Sequence, residues 1–308
     1  KPAKTDRDLG TSYRPSQKGQ GSEFVLDPAV DRWLGDHRPT WTVPALPAMS
    51  MVDLLIGASG HDVPVRVEDV TIHRWLPIDG PCRLRTVQTE DGWRLDAWRD
   101  ADRADLSRFE PVCTARISDA NPPEAPWEPL QGDAAENPYE AAHLFHGPAF
   151  RYLSQLVLSE QGSSALLLPG QGSVPAGATH QGLLDAITHA IPHDRLSLWF
   201  EQIGDDAVAY PYRITWMEIY GPVGKLPLRV EVRPLPTEDP RFPRMAFQAI
   251  FMDRVWAQGE LVEICMPKGP IGQADPLSRR AFLENREWVY QLGLASFADE
   301  SATVRPNA

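Results

Sequence analysis

The side chains best placed to do chemistry in this 308-residue sequence lie in "GLLDAITHAIPHD", where Asp185 and His189 stand four residues apart in an apolar frame. On a helix that spacing sets both on one face. A carboxyl held beside an imidazole can be oriented and have its proton affinity tuned, which general acid catalysis requires. The same spacing also fits a polar helix edge turned to solvent. His193 extends the row to i+8, as a metal-binding face would, but the sequence nominates no further ligand and Pro192 disturbs the last turn. His37 sits in "GDHRPTWTVPALP", a stretch with three prolines just ahead of an apolar run, where it reads as a base or as a turn residue. "FHGPAF", residues 145 to 150, makes a rigid Gly-Pro bend entering a strand, and His143 and His146 flank it as weak candidates for metal ligands.

These residues need elements to hold them, and strands dominate the pattern. "VRVEDVTIHRWLPI" alternates in broken period two, "CRLRTVQTEDGWRLDAWRD" reads as a hairpin turning at Glu90-Asp91-Gly92, and "FEPVCTARI" closes the set. "DANPPEAPWEPLQGDAAENP", residues 119 to 138, carries five prolines and is the expected internal boundary. Beyond it, "RYLSQLVLSEQGSSALLLP" predicts a hairpin, "AYPYRITWMEIYGPV" and "PLRVEVRPL" strands, and "RMAFQAIFMDRVWAQGELVEICM" a long hairpin turning near Ala257-Gln258-Gly259. Each half holds one helical stretch, 47 to 59 and 180 to 191, so the order loop, helix, antiparallel sheet occurs twice. The expected organisation is a polar tether at 1–22, a first half at 23–118, the proline-rich linker at 119–138, a second half at 139–268 and a helical extension at 269–308. In that extension the stretch 277 to 293 carries Arg279, Arg280 and Arg286, either on a solvated helix packed at the domain edge or as a docking patch for an acidic partner.

Composition narrows the partners. Thirty Lys and Arg against 42 Asp and Glu give a net charge of -12 and a pI near 5.1, so no concentrated basic footprint for nucleic acid is expected. The tryptophans are expected in core and rim rather than as a stacking platform. Cys82, Cys113 and Cys265 lie far apart without a CxxC spacing, which signals neither a disulfide framework nor a zinc site and makes a reducing cytoplasm the expected location. No segment reads as a membrane span or a secretory leader.

Taken in order, "WLGDHRPTWTVPALPAMSMVDLL", "LFHGPAFRYL" and "GLLDAITHA" resemble the dehydratase domains of type I polyketide synthases and of polyunsaturated-fatty-acid-type synthases. Those domains carry HxxxGxxxxP, then GPxF, then DxxxQ or DxxxH, and the resemblance spans about residues 23 to 265. It implies an α+β double hot-dog fold, two antiparallel sheets each wrapped around one central helix. It implies a carbon–oxygen lyase that dehydrates a 3-hydroxyacyl thioester in antibiotic or lipid assembly. The substrate would arrive on the phosphopantetheine arm of an acyl carrier protein, with no metal or diffusible cofactor. Neighbouring synthase domains and a second copy of the chain are the other expected partners. A double-bond isomerase or cyclase on the same fold, or a silent carrier-docking or dimerisation module, are the alternative expectations.

Residue by residue, the resemblance makes His37 the base, Asp185 the acid and His189 the residue that positions that acid. Gly147, Pro148 and Phe150 match GPxF, Pro47 the motif proline, and Asp53 an acidic position in the following helix. Trp41 stands where the family has glycine, and Pro47 follows His37 by ten residues rather than nine, as one inserted residue would produce. Trp41 is then expected to keep the family's N–H toward the thioester carbonyl while narrowing the space around it. His146 replaces a frequent tyrosine, with an expected charge that varies with pH.

Overall fold

The computed structural model describes residues 22–285. Chain order runs β1 (Glu23–Leu26), α1 (Ala48–Ser59), β2 (Val65–Ile72), β3 (Cys82–Thr89), β4 (Gly92–Arg99) and β5 (Arg108–Asp119). It continues through β6 (Asp133–Ala134), β7 (Leu153–Ser159), β8 (Gly162–Leu167), α2 (Gln181–Thr188), β9 (Ala207–Ile219), β10 (Leu228–Leu235), β11 (Arg244–Phe251), β12 (Arg254–Pro267) and α3 (Pro276–Asn285). The strands form one antiparallel sheet of 12, ordered β1-β3-β4-β5-β2-β9-β12-β11-β10-β8-β7-β6. The two expected sheets are therefore continuous: β2 of the first half pairs with β9 of the second, Val65 opposite Ile219 and Val67 opposite Met217. We propose 23–118 and 139–268 as the limits of the two halves.

The helices α1 and α2 are buried. From Met49 to Ala58 every residue of α1 is buried, as an almost wholly apolar segment requires, and Gly60 at φ 80° closes it. It packs on β2 to β5 and touches α2, so the two halves share one apolar cluster. α2 is shorter than the expected 180–191. It stops at Thr188 because Pro192 cannot continue the ladder, and because His193 Nε2 bonds the Thr188 carbonyl at 2.9 Å.

Two further sequence expectations are corrected. The long hairpin turns at Met252-Asp253, both in the left-handed region, while Ala257, Gln258 and Gly259 lie within β12 and pair on both sides. Gly259 marks a close approach of strands rather than a turn, since a Cβ there would lie 2.5 Å from the Trp216 carbonyl oxygen. The proline-rich segment at 119–138 lies against the sheet and holds the short β6. Asn121, Trp127 and Leu130 donate backbone N–H groups to the buried side chains of Glu218, Gln248 and Glu231 at 3.0, 2.8 and 3.0 Å. A stretch too rich in proline to form a ladder of its own is thus satisfied by polar side chains of the sheet. The tether at 1–21, and residues 286–293 with Arg286, lie outside the described residues.

Candidate active site

His37 follows a short 3-10 turn, Arg32–Asp36, and its N–H bonds the Leu34 carbonyl at 3.2 Å. Its Nδ1 donates to the Ala45 carbonyl at 2.8 Å while Ala45 N–H returns a bond to the His37 carbonyl at 3.0 Å, fixing the loop at both ends. With the proton on Nδ1, the Nε2 lone pair is left for other work. Burial holds this imidazole below its ordinary proton affinity, against the opposing pull of Asp185.

The residue before it, Asp36, joins the two halves. Its carbonyl accepts Gly147 N–H at 2.7 Å and its Oδ2 accepts Ala149 N–H at 2.7 Å. A Cβ at residue 147 would stand 2.5 Å from Asp36 Oδ1, so the Gly of "GPAF" is demanded by this carboxylate. Sequence reasoning passed over Asp36. Its place next to His37 was the only signal, because its partners lie more than a hundred residues away.

From α2, Asp185 and His189 do share a face: His189 Nε2 and Asp185 Oδ2 are 3.3 Å apart. The approach lies off the N–H direction, and neither atom has a hydrogen-bond partner among the described residues, so this contact is electrostatic rather than a formed hydrogen bond. Tyr139, which sequence reasoning also missed, fixes the tautomer. Its hydroxyl accepts Leu153 N–H at 3.3 Å and, with the phenol proton affinity raised by burial, donates to His189 Nδ1 at 2.8 Å. With the Tyr139 hydroxyl donating to Nδ1, the ring's own proton is on Nε2, where the approach to Asp185 Oδ2 is too oblique for a hydrogen bond.

His146 completes the group. It stacks on Phe145 at 4.1 Å, lies 3.9 Å from the His189 ring, and brings Nε2 to 3.5 Å from Asp185 Oδ2. Burial, with the neighbouring imidazoles, pushes its proton affinity well below the ordinary value, which disfavours the charged ring. Ligand atoms of His37, His146 and Asp185 all lie within 4.8 Å of one another. His37, His146 and Asp185 line one cavity of about 290 Å³, whose wall is otherwise largely apolar, with Leu46, Met51 and Ile72 among its residues.

The other candidates divide. Trp41 lines the cavity, but its N–H donates to the Arg38 carbonyl at 2.7 Å, so it is not directed at a thioester as expected. Thr40 and Trp41 both take left-handed backbone in this loop. Pro47 caps α1 and lies outside the cavity wall, as do Gly147, Pro148 and Phe150. Phe150 instead packs behind His37 at 5.5 Å between ring centres, and Gly147 and Pro148 border a second hollow of about 220 Å³. Asp53 ties α1 to the approach to α2 by accepting Thr179 N–H and Oγ1–H at 2.6 and 2.7 Å. The metal row through His193 does not exist, because that ring turns to Glu263 at 2.9 Å, and His143 is held by Asp194 at 2.8 Å. Arg279 is not offered to a docking partner: it is buried, bonds Asp194 at 3.3 Å and covers the Trp41 ring at 5.9 Å. Arg280 pairs with Glu284 at 3.2 Å.

No protein-family model matches the chain, and no curated protein matches its sequence. Solved structures do share the fold. The dehydratase domain from the CurJ module of the curacin polyketide synthase covers 84% of this chain and 93% of its own at 16% identity, with a TM-score of 0.63. The dehydratase domain of the polyketide synthase PpsC from Mycobacterium tuberculosis covers 80% and 93% at 17% identity, TM-score 0.61. A bifunctional dehydratase–cyclase domain of ambruticin biosynthesis covers 80% and 91% at 18% identity, TM-score 0.58. The chain therefore has the α+β double hot-dog fold seen in polyketide synthase dehydratase domains. No helix among the described residues is long and apolar enough to cross a membrane.

Proposed function

We propose that this chain removes water from a 3-hydroxyacyl thioester carried on the phosphopantetheine arm of an acyl carrier protein, giving the 2,3-unsaturated thioester. One observation carries the reading: an imidazole from one half and a carboxyl from the other lie within 4.8 Å, buried in one cavity. His37 Nε2 takes the proton from C2, the C2–H electron pair becomes the C2=C3 bond, and the C3–O bond breaks. The departing oxygen takes the proton of Asp185 and leaves as water, after which the proton on His37 is returned to the carboxylate. A neutral imidazole suits the first task because its proton affinity lies near working pH. His189 orients Asp185, and Tyr139 orients His189. Neighbouring synthase domains and a second copy of the chain are the further partners we propose, with no metal or diffusible cofactor in the reaction.

The dehydratase–cyclase neighbour favours ring closure as the second reading, since the third imidazole, His146, stands where a proton shuttle is needed. Incubating the protein with a carrier-linked 3-hydroxyacyl chain and weighing the carrier tests dehydration, and chromatography of the released acid tells an open-chain unsaturated product from a ring of the same mass. Loss of the mass of water, abolished in His37→Ala, is the expected result. An unchanged mass would remove dehydration.

A further inference from the structure

His37, His146 and Asp185 form a buried set of two imidazoles and one carboxyl group, with ligand atoms mutually within 4.8 Å. We propose that this trio is a binding site for Zn(II), and that zinc held there blocks the cavity's chemistry by occupying the His37 lone pair and the Asp185 carboxylate.

The donor set is that of a three-ligand zinc site with an open fourth position, and the cavity of about 290 Å³ supplies the opening. One outer partner is in place. The His37 Nδ1–H bond to the Ala45 carbonyl at 2.8 Å selects the tautomer that presents Nε2, the arrangement that zinc-binding histidines use. Little has to be broken on binding, because Asp185 Oδ2 and His146 Nδ1 have no hydrogen-bond partner among the described residues. The sizes are compatible. Tetrahedral zinc with bonds of about 2.1 Å holds its ligand atoms roughly 3.4 Å apart. His146 Nε2 and Asp185 Oδ2 already stand at 3.5 Å, and the other separations, within 4.8 Å, must close toward that roughly 3.4 Å by side-chain rotation. His189, with Nε2 at 3.3 Å from Asp185 Oδ2, holds the carboxylate from behind. This site differs from the helix row of the sequence reading, since His193 is committed to Glu263 and His146 comes from the Gly-Pro loop.

Only the inhibitory half of the proposal rests on the proposed dehydration; metal binding is measured without it. The whole chain, freed of metal with a chelator, is titrated with zinc chloride against a chromogenic zinc indicator and, separately, with cobalt chloride. One zinc per chain should be taken from the indicator, and cobalt should give the intense visible bands of a four- or five-coordinate ion. His146→Tyr and Asp185→Asn should each weaken zinc by more than the ~10–100-fold that loss of an outer partner costs, whereas His61→Ala should not. A wild-type protein that takes no zinc, or gives only the pale spectrum of six-coordinate cobalt, overturns the proposal whatever the variants do. So does full zinc binding by a folded His146→Tyr protein. If zinc binds as described but no carrier-linked substrate loses water, the dehydration reading fails and the metal site stands. Where water is lost, one equivalent of zinc should stop it and chelator should restore it; dehydration at full rate with zinc bound overturns the inhibition.

Discussion

The base role proposed for His37 requires a neutral imidazole, and burial keeps it neutral to lower pH than an exposed histidine near 6.5. The acid limb of kcat/KM should therefore fall below pH 6.5; a limb at or above that value would contradict the assignment. His37→Ala and Asp185→Asn should each cost about a hundred- to ten-thousand-fold in rate, measured by single-turnover mass analysis. Tyr139→Phe is the more discriminating change. It touches neither reacting proton yet frees the His189 tautomer, so kcat should drop by about tenfold with KM unchanged, a split that simple destabilisation would not give. Trp41→Gly relieves left-handed backbone at φ 54° and removes a ring from the cavity wall, so bulkier acyl chains should be accepted; unchanged substrate preference would show that the ring does not limit them. At this scale the juxtaposition was legible in "DAITHA" because helical spacing alone brings Asp185 to His189. Tyr139, Asp36 and the bonded Trp41 N–H were not, because each depends on a partner that only folding delivers.

At the scale of elements, the end of α2 is pinned by a buried ion pair. His193 bonds the Thr188 carbonyl through one nitrogen and Glu263 through the other, and the carboxylate raises its proton affinity against the effect of burial. Its contribution to stability is full below the unfolded value of about 6.5 and is lost as pH rises through the raised folded value. His37, His146 and His189 work in the opposite direction: their affinities are lowered, so their contribution is lost as pH falls below about 6.5. Glu263→Gln should remove the alkaline loss and cost about 3–5 kcal/mol, read from denaturation midpoints across neutral to alkaline pH. Gly147→Ala forces a methyl against Asp36 and should cost about 1–3 kcal/mol, visible as a lowered Tm. Strand and helix positions followed from periodicity, but the hairpin near residue 257 was misplaced because glycine there marks close strands. Polarity alone, likewise, did not show that Asn121 to Leu130 would be clasped by Glu218, Gln248 and Glu231.

For the whole molecule, the shared apolar cluster and the β2–β9 seam make the two halves one cooperative unit, and calorimetry should show a single unfolding transition. Two resolved transitions would mean that the halves hold together only weakly. The halves are alike in order, and each helix carries an acid that meets the other half: Asp53 reaches the segment before α2, and Asp185 reaches the loop that carries His37. The two encounters have different ends. Asp53 is saturated by backbone N–H groups and a threonine hydroxyl, whereas Asp185 Oδ2 is left without a hydrogen-bond partner among imidazoles. Two halves alike in order thus hold one acid open to a cavity and one tied off by hydrogen bonds, so on the proposed reading active-site titration should count a single reactive centre per chain, and per two chains in a dimer, two rather than four.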